Sequence, residues 1–130
     1  TNARSLLVTD QYEQAVSLFK QFLDIYPDSN HASDAHYWLA KTYLAQGRYS
    51  LAKNTFIAFQ QNSPLHHKYA NSLFELARVY VELKQTDKAK DLLNGVLDKF
   101  PSHRVASRAQ QLLGKIAPNK LIKSEIGQLN

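Results

Sequence analysis

Apolar positions along the chain recur with the period of a helix. Leu39, Ala40 and Tyr43 fall at i, i+1 and i+4, which marks one face of a helix. Ala52, Phe56 and Phe59 fall at i, i+4 and i+7, which marks one face of another. Gly47 lies between them. Glycine enters the left-handed conformation that a helix end requires, so the first helix is predicted to stop there. Pro64 closes the unit, because proline cannot continue a helix and pushes its predecessor out of the α region. The pattern predicts helix, tight turn, helix, with small Ala52 letting the two axes approach.

The unit repeats at an offset of 37 residues. Ala15, Ala52 and Ala89 form one column, and Phe19, Phe56 and Leu93 another. Pro27, Pro64 and Pro101 form a third, Leu39, Leu76 and Leu113 a fourth, and Tyr12, Tyr49 and Thr86 a fifth. A fixed period of this length means stacked supersecondary units. The order Leu-Ala/Gly, Tyr, Gly, Tyr, Ala, Phe, Pro resembles a tetratricopeptide (TPR) repeat, whose usual period is about 34 residues. The additional residues fall between the proline and the next first helix. Lys84 stands where Gly47 would recur, and His36 where the motif often has tryptophan. The resemblance implies an all-α fold: a right-handed TPR solenoid of antiparallel helix pairs, about three repeats plus a C-terminal capping helix.

In chain order, residues 1–117 read as the TPR domain, with repeats at about 1–29, 30–66 and 67–102 and a terminal helix at 103–116. Residues 1–9 fit the end of a first helix, Asp10-Gln11 a turn, and Tyr12 to Tyr26 a second helix burying Ala15, Phe19, Phe22 and Leu23. Asp28 or Ser29 is placed to cap the next helix, and Ser102 the last. Residues 118–130 read as a flexible tail. The chain does not begin with Met, and Thr1 falls inside a helix of the repeat register. It therefore reads as a piece of a longer protein, with any signal peptide upstream.

Composition removes several classes of chemistry. There is no cysteine, so disulfides, thiolate catalysis and Cys-based zinc sites are excluded. No apolar run approaches the ~18 residues of a membrane-spanning helix, so membrane insertion is not expected. Sixteen basic against eleven acidic residues give a net charge of +5. The cations are dispersed, which reads as a solvated surface and not as a nucleic-acid footprint. His31, His36, His66, His67 and His103 make no i, i+4 pair of the kind a helical zinc site needs. Four of them fall at inter-repeat breaks, where histidines are mostly solvated. Asp87 and Asp91 suit the start of a helix. No nucleophile–base spacing or glycine-rich phosphate loop is present, so no enzyme activity, cofactor or metal is expected.

The informative columns lie on the first helices. Two positions after each Leu-Ala/Gly column stand Lys41, Arg78 and Lys115, and one period earlier Arg4. Two positions before the leucine stand Tyr37, Phe74 and Gln111. Tyr37 with Lys41, and Phe74 with Arg78, share a helix face at i, i+4, which Leu44 and Val81 extend. In TPR domains the first helices line a concave surface that binds extended or helical peptides. The resemblance thus implies a partner site of Tyr37, Lys41, Leu44, Phe74, Arg78, Val81, Gln111 and Lys115: a basic ladder beside an aromatic strip. The other reading puts Tyr37 and Phe74 in the inter-repeat core and leaves the cations as soluble surface. Trp38, about 100° round the helix from Tyr37, fits either core or groove edge.

The break Tyr26-Pro27-Asp28-Ser29, followed by Ala35-His36-Tyr37-Trp38-Leu39-Ala40 and closed by Phe100-Pro101-Ser102, is similar to the periplasmic TPR domains of the Tol-Pal accessory family of bacterial cell-division coordinators (CpoB, or YbgF). That resemblance covers residues 1 to about 116. It implies a periplasmic binding module with TolA as partner, and oligomerisation through an upstream coiled coil. The same motifs occur in outer-membrane-assembly lipoproteins of the BamD type. A regulatory TPR region of a larger cytoplasmic protein is the other class left open.

Overall fold

The computed structural model of the chain describes residues 2–117. Six helices make up this part: α1 (Asn2–Ile25), α2 (Ala32–Ala45), α3 (Tyr49–Asn62), α4 (Tyr69–Glu82), α5 (Thr86–Lys99) and α6 (Arg104–Ile116). No strand occurs among the described residues. The expected tail at 118–130 lies outside them.

The turns inside the pairs form where the pattern placed them. Gly47 has φ of +75°. Its N–H donates to the Leu44 carbonyl at 3.0 Å and the next N–H, of Arg48, to Tyr43 at 2.9 Å. These two bonds are the left-handed closure that satisfies the last carbonyls of α2. Lys84 adopts the same conformation, at φ of 63°. Its N–H reaches Val81 at 3.1 Å, and that of Gln85 reaches Tyr80 at 2.8 Å. The fold imposes the conformation although the glycine is gone.

The junctions between units repeat as faithfully. Tyr26, Ser63 and Phe100 donate back to Phe22, Phe59 and Val96; Ser29, His66 and His103 donate to Tyr26, Ser63 and Phe100. Ala32, Tyr69 and Ala106 donate in turn to Ser29, His66 and His103. Each junction is the same three-bond bridge, 37 residues apart.

Repeat one departs from expectation. The turn at Asp10-Gln11 does not form, and α1 runs unbroken through it for 24 residues. Neither residue has glycine's freedom, and Gln14 Nε2 donates to Asp10 Oδ2 at 3.2 Å along the same helix. Among the described side chains of α1 it is Val16, not Ala15, that is buried, while Phe19, Phe22 and Leu23 are half-buried. The expected caps also shift. Position 31 caps α2 without a side-chain bond, while Ser29 Oγ accepts from the His31 N–H at 3.1 Å. At α6 the cap is His103, whose Nδ1 accepts from the Val105 N–H at 3.0 Å, and not Ser102.

The core is a chain of two clusters. Tyr37, Leu39, Phe56, Phe59, Leu76 and Val79 anchor one, and Phe74, Leu93, Val96, Val105 and Ala109 the other. Tyr80 and Leu92 pack against both. The first helices α2, α4 and α6 pack successively on one another, whereas the second helices α1, α3 and α5 do so to no comparable extent. A stack closer on one side than the other curves toward the close side, so α2, α4 and α6 form its inner face.

Candidate binding face

The inner face is built around a carboxylate that the columns did not single out. Glu75 on α4 is 2% exposed. Its Oε2 accepts from Arg78 Nη1 at 3.0 Å, and its Oε1 lies 4.0 Å from Lys41 Nζ on α2. A buried carboxylate requires such partners, because desolvation otherwise exceeds any gain from packing. Lys41 and Arg78 therefore converge on one anion instead of standing as free rungs of a basic ladder. Lys41 Nζ also lies 5.6 Å from the Trp38 ring centroid. The column 38, 75, 112 reads Trp, Glu, Leu. A lone carboxylate in an otherwise apolar column was the available signal.

Tyr37 and Phe74 belong to the core, at 3% and 5% exposure. Tyr37 packs edge-on or tilted against Phe56 and Phe59, with centroids 6.2 and 5.5 Å apart. Its phenol is pushed up to about 12, first by burial and then by the charge of Glu75, with Arg108 acting in the opposite sense. Phe74 is covered by Arg108, whose guanidinium carbon lies 4.6 Å from the ring centroid. These two rings have almost no surface left to give a partner, so the aromatic strip is inter-repeat packing.

The other positions divide. Lys41, Leu44 and Arg78 come together with Ala45, Tyr49, Glu75 and Glu82 around a pocket of about 220 Å³ between α2 and α4. Val81 is half-buried against the second cluster. Gln111 and Lys115 are exposed on α6, and Lys115 sits in its last turn. Trp38 is 45% exposed and lines an apolar pocket of about 370 Å³ with Leu18, Phe19 and Phe22.

The histidines are less uniformly solvated than the sequence suggested. His31 is exposed, whereas the His66 side chain is only 13% exposed. His66 Nδ1 accepts from the Lys68 N–H at 2.9 Å. The proton therefore sits on Nε2, which meets Asp34 Oδ1 at 2.5 Å. That bond is the main reason the Asp34 carboxyl is held below its ordinary value, with burial opposing and His31 assisting. His36 is lowered by burial.

A family model described as Tetratricopeptide repeat matches residues 6–68, and a second with the same description matches residues 71–103. The chain carries tetratricopeptide repeats. In TPR terms α2–α3 and α4–α5 are complete helix pairs, flanked by α1 and α6. No curated protein matches the chain. Two solved structures of a Podosopora anserina kinesin light chain protein with nearly identical TPR-like repeats, one of them a point variant, superpose with TM-scores of 0.68 and 0.67. Each is 24% identical, over 98% of this chain and 67% of the other. At that identity the likeness is one of fold.

Proposed function

We propose that this TPR domain is a non-enzymatic interaction module that holds a segment of a protein partner along the α2–α4–α6 face. We place it in the bacterial cell envelope, with the Tol-Pal component TolA as the partner, on the strength of the sequence resemblance at the inter-repeat breaks. The observation that carries the binding reading is the pocket formed by Lys41, Leu44, Arg78, Glu75 and Glu82. It offers an apolar wall at Leu44 beside charges of both signs. A partner segment with one apolar side chain flanked by polar groups fits this lining better than a purely acidic one, since Glu75 already engages Lys41 and Arg78.

The test is calorimetric titration of the domain with a TolA fragment. Leu44→Glu places a charge on the apolar wall and should weaken binding by more than about tenfold, the scale of an interface hot spot. Leu51→Glu on α3, away from the inner face, should leave affinity unchanged. Circular dichroism checks that both variants fold. Equal binding by wild type and Leu44→Glu would remove this face as the site.

A further inference from the structure

The two junctions between first helices, α2 with α4 and α4 with α6, are built alike but differ in charge. At the first, Asp34 of α2 receives His66 Nε2 at 2.5 Å on one oxygen and lies 3.5 Å from His31 Nδ1 on the other. One period later His103 stands in the place of His66. It is held by the same bond, its Nδ1 accepting from the N–H two residues on, so its proton is likewise on Nε2. The position of Asp34, however, is Asn71, and the next member of that column is Arg108. The carboxylate has been lost while cations have accumulated.

The result is a pocket of about 310 Å³ where α4 and α6 begin, lined by His67, Lys68, Asn71, His103, Arg104 and Arg108 together with buried Val105. No carboxylate lines it, and Lys68, Arg104 and Arg108 form no salt bridge among the described residues. The Arg108 guanidinium carbon is held 4.6 Å from the Phe74 ring centroid. A planar, pre-oriented guanidinium presents paired donors to an oxyanion.

We infer that this pocket binds a phosphate group. The earlier junction satisfies its histidines with an oxyanion from the chain itself. The charge count selects the kind of oxyanion. Asp34 brings one negative charge to two imidazoles, whereas here three permanent cations join two imidazoles. A phosphate carries about −1.5 to −2 near neutral pH and offers three strong acceptors, which matches that surplus better than a single carboxylate does.

The experiment titrates the domain with inorganic phosphate and with glycerol phosphate at constant ionic strength, following amide shifts and affinity. Both should saturate, and acetate should not. Tighter binding of glycerol phosphate would identify the source as an organic phosphate, and equal binding a free one. Arg104→Gln, at an exposed position, should weaken binding about tenfold or more, because it removes a charged hydrogen bond. Lys20→Gln on α1 should change nothing. Asn71→Asp restores the chain's own carboxylate and should abolish phosphate binding in a folded protein. Acetate binding equal to phosphate, or full affinity in Arg104→Gln or Asn71→Asp, would overturn the assignment.

Discussion

Lys84 holds a backbone conformation that a lysine enters at a cost. The left-handed region brings Cβ toward the following carbonyl, at roughly 1–2 kcal/mol. The hydrogen bonds that close α4 require that conformation all the same. Lys84→Gly should therefore stabilise the domain by about 0.5–1 kcal/mol, after subtracting the greater freedom glycine has when unfolded. Urea denaturation measures it, and a lower midpoint would contradict the argument. Gly47 could be read directly from the sequence because its residue type names its conformation. Glu75 could not, since a glutamate on a helix is usually solvated. Only the neighbours above and below it, Trp38 and Leu112 in its column, marked it as out of place.

Helices were legible where proline, glycine or the register marked their ends. Proline and Gly47 delimit α2 and α3, and the register alone placed the turn between α4 and α5, which Lys84 closes without glycine. The register placed a turn at Asp10-Gln11 as well, but α1 continued through. Tertiary contact makes the same point for burial. Leu39 is 6% exposed and Phe56 fully covered, within a cluster drawn from all of α1 to α4. Leu39→Ala should cost about 2–5 kcal/mol, through lost transfer energy and the cavity left behind. Because each unit leans on its neighbours, the loss should lower protection of amides in α1 and α4 as well as α2. Hydrogen exchange confined to α2 would argue against that coupling. Tyr37 and Phe74 show why the site was harder to read than the fold. Periodicity gives the face a residue occupies but not how far its neighbours cover it.

At the scale of the whole molecule, two side chains set a response to acid. Burial lowers His36, so the unfolded chain takes up its proton first as pH falls below about 6.5. Stability is full above that value and declines below it. Asp34 is held low chiefly by the bond from His66. Its contribution is present above about 3.9, the unfolded value, and is lost as pH falls through the folded one. Denaturation midpoints from about pH 8 to about pH 3 should fall in two stages. His36→Gln should flatten the upper stage and Asp34→Asn the lower; a profile unaltered by both would refute the assignment. The three identical junction bridges have a further consequence. Because backbone donors and acceptors match at every junction, residues 30–66 form a cassette whose main chain is interchangeable. A gene encoding that stretch twice in tandem would lengthen the stack without leaving a backbone polar group stranded at the seam, which makes the chain's length adjustable by whole repeats and its curvature adjustable with it.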